Sequence, residues 1–407
     1  MRKLLALAAA FVSILLLADC GGGGSPPPAP TNVVAVPHDS SAVISWSSIP
    51  GVEYWVWVAP TSNLTWENCI NVPGCQIHNG VTSPILILGL TNGTTYSAVV
   101  NGRSGDSPVG ATSPPVTFVP NLAGYTWSAG KPLASTLLGV GYTGASSIAG
   151  STFVAVGVGG SLYSSADAKT WTTSNSNVAT DLDAVLYGAG KFVVAGDAGV
   201  ILNSTDGATW TRVTSGTTNR LHALASNGTT MVATGANGTI LASADGVTWA
   251  VQSSGTTNDL YGITFANSTY VAVGANGTLL TSTNGTVWQS RALQTSLNLK
   301  SVAYGASTFV AVGAAGALVT STDGVTWTTR SPIAANSLSA VVYGTQFIAV
   351  GSGGGIFTSL DGITWKPAVS GTTNDLIALT FSPGRASSLL DIGYVAVGAS
   401  GVNLTAF

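Results

Sequence analysis

From Leu260 to Leu293 the chain reads LYGITFANSTYVAVGANGTLLTSTNGTVWQSRAL, four short apolar, β-branched runs broken by Gly, Asn and Ser turns. That pattern predicts four short strands joined in chain order, a meander. Near-copies begin at Leu137, Leu182, Leu221, Leu260, Leu299, Leu338 and Leu376. All but the last carry a heptapeptide such as SADGVTW, Ser243 to Trp249, between the third and fourth runs. Its acidic position falls at Asp167, Asp206, Asp245, Asn284, Asp323 and Asp361, in steps of 39 residues with a final step of 38. Self-similarity at such a period predicts a repeat architecture. Each heptapeptide has the chemistry of a tight turn, with an Asp that accepts bonds from the turn's own N–H groups and a Gly at positive φ. The Trp then opens the fourth strand and buries its ring against the neighbouring repeat.

The seventh copy reaches Phe407 after its third run, without a heptapeptide. GYTWSAG, Gly124 to Gly130, places Trp127 where the other repeats have their Trp, so it is expected to complete the last sheet and close a ring. The expectation is an all-β chain whose residues 121–407 form a seven-bladed β-propeller, with the N-terminal strand of that region closing the last blade. The heptapeptides resemble the BNR/Asp-box repeat of sialidase-like propellers. The wider unit, FVAVG followed by a second Gly and the heptapeptide, looks most like the photosystem II assembly-factor-like group. The resemblance implies the fold. Enzymes, sorting receptors and assembly factors all carry Asp boxes, so it implies no single activity, although the assembly-factor group suggests a protein partner or scaffolding role. The box aspartates are expected to be structural.

Residues 31–120 show a different pattern, short alternating strands at AVISW, YWVWV, PILIL and TYSAVV. Trp46 and LGLTNGTTY, Leu88 to Tyr96, are similar to a fibronectin type III sandwich, which implies that the Tyr96 hydroxyl bonds back to upstream backbone. In that reading Tyr54, Val56 and Val58 face the core. Trp55 and Trp57 face away with Trp66 nearby, expected to pack on the Cys69–Cys75 loop or the propeller, or else exposed to stack on a sugar or grip a partner.

The N-terminus predicts export. MRK and the apolar run Leu4 to Ala18 form a signal, too short for a confident membrane span, and LADC resembles a lipoprotein box over residues 1–20. Asp19 stands where that box prefers a small residue. Cys20 is the expected lipidation site and membrane anchor, and 21–30, GGGGSPPPAP, the spacer. The expected location is the cell envelope, as an outer-membrane lipoprotein facing periplasm or surface. There Cys69 and Cys75, six residues apart, are expected to form a local disulfide.

Composition narrows function by exclusion. Charged residues are 7% of the chain and the net charge is −3, so no basic surface invites nucleic acid. Glu53 and Glu67 are the two glutamates, both ahead of the propeller, so a sialidase's glutamate-activated tyrosine is absent there. Arg212, Arg291 and Arg330 follow blade tryptophans in outer strands and do not form a sialidase's arginine cluster. Three scattered His residues and no nucleophile elbow predict neither a metal site nor a cofactor. The candidate chemistry is instead a variable ring beside each leading Leu. The following position reads Leu138, Asp183, His222, Tyr261, Lys300, Ser339 and Ile377. The preceding one reads Thr136, Asp181, Arg220, Asp259, Asn298, Ser337 and Asp375. The box joins strands three and four, so by parity this ring lies on the opposite face, at the channel mouth. Asp181, Asp183, Arg220, His222, Asp259, Tyr261 and Lys300 are then either a patch recognising a protein or glycan, or a solvated rim. The expectation is a non-catalytic, monomeric binding protein. The alternative is a glycoside hydrolase, sialidase-like or inverting, using the aspartates on that face, with a carboxylate pair about 6.5–9.5 Å apart if inverting.

Overall fold

The computed structural model describes residues 25–143, 153–382 and 393–406. Cys20, the signal segment and the glycine half of the spacer lie outside the described residues. The chain divides into two compact units, 1–121 and 122–407.

In the first unit, strands β1 (Val34–His38), β2 (Ser41–Ser45), β3 (Glu53–Ala59), β4 (Gln76–Val81), β5 (Ile85–Leu88), β6 (Tyr96–Arg103) and β7 (Val116–Phe118) form two antiparallel sheets. Their orders are β1-β2-β5 and β4-β3-β6-β7. Alternation sends Ala42, Ile44, Tyr54, Val56, Val58, Tyr96, Ala98 and Val100 into the core between them. The Tyr96 hydroxyl accepts from the Thr91 N–H at 3.1 Å. On the outer face of β3, Trp57 is buried with Leu64, Cys69 and Val99, with Trp55 packed alongside. Cys69 and Cys75 are disulfide-bonded, with Cα atoms 5.5 Å apart. Trp57 therefore packs under the disulfide loop, and Trp66 alone of the three tryptophans stays exposed. The spacer also ends sooner than its composition suggests, because Pro27 and Pro30 are already buried.

The second unit holds, among the described residues, seven four-stranded antiparallel sheets. One runs Leu260–Ala266, Thr269–Gly274, Leu279–Ser282 and Gln289–Ser290. The last takes its fourth strand from β8 (Trp127–Ala129), which pairs with Asn403–Ala406. First strands of successive sheets touch in turn, and Leu376–Phe381 returns to touch Leu137–Tyr142.

Why the second strand of each repeat is continuously apolar follows from this packing. Tyr270 and Ala272 lie against Val232 and Ile240 of the preceding sheet. Their alternates Val271 and Val273 lie against Phe309 and Ala311 of the next. Both faces are covered, so alternation with polar residues is lost.

The heptapeptides are the turns their composition implies. Asp245 Oδ1 accepts from the Val247 and Thr248 N–H groups at 2.8 Å and from the Ser243 hydroxyl at 3.1 Å. Trp249 is buried and its Nε1–H donates to the Gly246 carbonyl at 3.1 Å. Asn284 makes the same two backbone bonds at 3.0 Å, so the carboxylate charge is not needed for the geometry. Charge matters to acid stability instead. The backbone N–H bonds, that from the third residue along foremost, hold Asp206, Asp245 and Asp323 at about 2. At Asp361 a burial cost opposes the same bonds, and the carboxyl still sits at about 2. A carboxyl depressed on folding stabilises the fold above its unfolded value of about 4 and loses that contribution as pH falls toward 2. Asp245→Asn is therefore expected to lower the unfolding temperature at pH 7, with the gap to the parent closing by about pH 2. Melting curves across that range check it, and a gap independent of pH contradicts it.

The first heptapeptide departs from the others by carrying Ala168 in place of Gly, at φ 54° and fully buried. A left-handed alanine costs roughly 1–2 kcal/mol, partly offset by glycine's greater chain entropy. Ala168→Gly is expected to stabilise the unit by about 0.5–1 kcal/mol, measurable by urea denaturation. A destabilised variant would show that the Ala168 methyl group contributes more by packing than its backbone strain costs.

Candidate recognition site

Each first strand begins with a fault in its pairing. Leu260 pairs with Gly274 and Gly262 with Val273, which leaves Tyr261 as an extra residue. The same bulge sets off Leu138, Asp183, His222, Lys300, Ser339 and Ile377 in the other sheets. A bulge re-aims its extra side chain out of the ladder. The position that varies most in sequence is thus the one freed from pairing in every repeat.

The preceding position has a different task. In six repeats its side chain accepts a bond from the N–H at the centre of the preceding sheet's turn. Gly159 donates to Asp181 at 3.0 Å, Asn237 to Asp259 at 2.9 Å and Asn276 to Asn298 at 3.0 Å. Ala315 donates to Ser337 at 3.4 Å, Gly353 to Asp375 at 2.8 Å and Ser400 to Thr136 at 3.2 Å. Asp, Asn, Ser and Thr are interchangeable there because all that is required is a short side-chain acceptor. One oxygen each of Asp181 and Asp259 is therefore committed to joining sheets.

Arg220 breaks this rule, since a guanidinium cannot accept. The turn it should serve, Asp197–Gly199, carries its own acceptor, and Asp197 Oδ1 takes the Ala198 N–H at 2.8 Å. The two departures compensate, which frees Arg220 for another partner. Its Nε and one terminal nitrogen meet the two oxygens of Asp183 at 2.5 and 2.6 Å, and Asp181 lies at 3.5 Å. Sequence reading overlooked Asp197, although GDAG among turns reading GVGG, GANG, GAAG, GSGG or GASG, none of them charged, is a visible signal.

The remaining side chains continue the line from the sheet of Arg220 across two further sheets. His222 Nδ1 is 3.7 Å from Asp183, and its ring centre is 5.3 Å from that of Tyr261. The Tyr261 hydroxyl donates to Asp259 at 3.4 Å, and Lys300 Nζ sits 3.5 Å from the Tyr261 ring centre. All seven residues singled out in the sequence thus join one connected cluster. Leu138, Ser339 and Ile377 occupy the equivalent bulges without joining it in any hydrogen bond or ion pair among the described residues.

Electrostatics divides the cluster in two. At Asp183, only 9% exposed, burial pushes the carboxyl up, but the bonds to His222 and Arg220 and the Arg220 charge outweigh it and hold the group low. Arg220 is held up in return, chiefly by its bond to Asp183. Within that half the Asp183–Arg220 pair neutralises itself. In the other half, burial lowers Lys300 against the opposing charge of Asp259, and burial followed by Asp259 raises Tyr261. Lys300 makes no ion pair within 4 Å among the described residues. Among those residues no cluster of three or more His, Cys, Asp or Glu could hold a metal ion.

A groove of about 830 Å³ opens beside this cluster, between the links Gly216–Asn219 and Ser253–Asn258. Its inner end is Asn219 and Asn258, which immediately precede Arg220 and Asp259, and its outer end is Val251 and Gln252 of an outermost strand. Apart from Val251 and the glycines the lining side chains are hydroxyls and amides, without a charge.

Fold and cluster together define a β-propeller with a charged and aromatic line on one face. No family model matches the chain, and no curated protein matches it. Solved structures do. YCF48 from Cyanidioschyzon merolae aligns at 19% identity and TM-score 0.55, over 69% of this chain and 98% of its own. A structure described as YCF48 bound to D1 peptide aligns at 19% and 0.56, over 69% and 94%. The WD40 β-propeller domain of Doa1 aligns at 12% and 0.54, over 69% and 95%. At such identities the likeness establishes the β-propeller fold.

Proposed function

We propose that this chain is a non-catalytic, exported binding protein, acting as a monomer without a cofactor. In this reading the second unit is a seven-bladed Asp-box propeller, the first a fibronectin type III sandwich, and a lipid on Cys20 holds both to an envelope membrane. Its ligand is an extended protein segment lying across the line from Arg220 to Lys300 and along the neighbouring groove.

The observation that carries the reading is the paired departure at Arg220 and Asp197. A tolerated rim residue would leave the Ala198 N–H without the acceptor that the other repeats supply from this position. Here the acceptor has moved to Asp197, and Arg220 instead fixes Asp183 beneath His222. The groove supports a peptide, because rows of hydroxyls and amides suit backbone N–H and C=O groups. YCF48 bound to D1 peptide is a propeller of similar fold with a peptide ligand, which agrees in kind. A hydrolase on this face lacks a general acid at Asp183, whose carboxyl is held low where an acid needs it raised.

Tyr261 and Lys300 are the residues to change first, because Arg220 and Asp183 also support the fold. The form beginning at Ser25 would be used to capture partners from native envelope. The expected result is one protein retained by the parent and by Asp245→Asn, and lost with Tyr261→Ala or Lys300→Ala. Equal capture by all four sinks the site assignment.

A further inference from the structure

The opposite face carries a second feature. A pocket of about 290 Å³ lies at the heptapeptide of the sixth sheet, lined by Tyr125, Gln346, Thr358, Ser359, Leu360, Asp361, Thr364 and Lys366. At about 30 Å³ for each water of liquid, it has room for about ten waters, roughly the space of one sugar ring.

The repeats supply their own controls for this site. The residue after the Trp is Thr172, Thr211, Ala250, Gln289 or Thr328 in the other five heptapeptides, and Lys366 here. Two residues before Trp127, where the heptapeptides have Lys169, Ala208, Val247, Thr286, Val325 or Ile363, stands Tyr125. A cation and an exposed aromatic ring, each unlike its counterparts in chemistry or place, meet at one pocket. The segment bearing Tyr125 is pinned there. Thr126 bridges Val369, and the Gln346 Nε2–H donates to the Ala123 carbonyl at 2.9 Å. Gln346 is buried at the floor, and its Oε1 has no protein partner.

The donor and acceptor inventory selects a ligand class. Asp361 Oδ1 is filled by the Ser359 hydroxyl and the Ile363 and Thr364 N–H groups, which leaves acceptor capacity on Oδ2 beside the Thr364 hydroxyl. Lys366 is a donor with no ion pair within 4 Å among the described residues. An acceptor beside a donor suits a vicinal diol, in which one hydroxyl donates and the next accepts. The two charges cancel, which favours an uncharged ligand, and Tyr125 offers an apolar ring face.

We propose that this pocket binds a single neutral sugar ring, stacked on Tyr125 with adjacent hydroxyls on Asp361 and Lys366. It is independent of the peptide site on the other face.

The test uses the full chain and four neutral probes, the methyl glycosides of glucose, galactose and mannose, and N-acetylglucosamine. Binding would be followed by ligand-observed NMR up to about 50 mM, the range of weak single-ring affinities. At least one probe is expected to saturate. Tyr125→Val and Lys366→Thr, which restore residues found elsewhere in the repeats and should not unfold the sheet, are expected to weaken it about tenfold or more. Lys300→Ala is expected to leave it unchanged. Saturation by none of the probes overturns the proposal. So does saturation indifferent to Tyr125→Val and Lys366→Thr, or saturation lost with Lys300→Ala.

Discussion

Gly238→Ala is expected to destabilise the propeller unit by about 2–5 kcal/mol. Gly238 closes the turn of its sheet at φ +67°, and a Cβ there would land on the carbonyl oxygen of Thr256 in the link to the next sheet. Two costs add. The left-handed backbone disfavours alanine by roughly 1–2 kcal/mol, and overpacking against fixed backbone costs about 1–3 more. Gly255, in that same link, separates them, because at φ +72° it has nothing within 4 Å of a built Cβ. Gly255→Ala should show only the first cost, about 1–2 kcal/mol. Urea denaturation of both variants, read in the transition of the second unit, gives the comparison. Equal losses would mean that the link shifts away and close approach costs nothing.

Arg220→Ala is expected to cost about 1–3 kcal/mol at pH 7, less than for a fully buried pair because Arg220 is 36% exposed. The loss comes from Asp183, left 9% exposed with its burial cost opposed by His222 alone. The sign of the pH dependence identifies this cause. In the parent the Asp183 carboxyl is held low, so its contribution is present above the unfolded value of about 4 and lost as pH falls below it. Without Arg220, its bond and its charge no longer hold the carboxyl down against burial, so less of that contribution remains at neutral pH. The gap between parent and variant should therefore be widest near neutral pH and shrink as pH drops below about 4, where both carboxyls are protonated. Adding Asp183→Asn to Arg220→Ala should recover part of the loss at pH 7. A gap that is constant with pH would mean that Arg220 contributes through packing of its aliphatic stem instead.

Both predictions concern positions that look alike in one dimension and differ in three. The period, the four-run unit and the Trp of each heptapeptide are local features, and they suffice to anticipate a meander repeated around a ring. The order of strands in each sheet follows from short turns, which leave an antiparallel neighbour as the only reachable partner. The fourth strand of the last sheet was also legible, because Trp127 repeats the register of the blade tryptophans 280 or so residues before the strand it joins. The cluster was visible in the sequence as a set of variable positions, and the seven residues, spread over four repeats, lie in contact with one another in the structure.

What each of those residues does depended on distance information that the sequence does not contain. Variability at Asp181 and Asp259 had the same appearance as variability at Tyr261 and Lys300. Only the geometry separates an acceptor that joins two sheets from a side chain set free by a bulge. Trp57 faced away from the core by alternation, yet the disulfide loop that covers it comes from a segment with no strand periodicity of its own. Tyr125 and Lys366 are 241 residues apart and read as unremarkable turn residues, until pairing of β8 in the last sheet brings them to one pocket. By itself the sequence determined the repeat, its strands and the side chains able to carry chemistry, because period, turn residues and residue type are local. The tertiary structure alone decided which of those side chains are bound to one another and which remain open to a ligand, because that choice is made by contacts between sheets that no local pattern encodes.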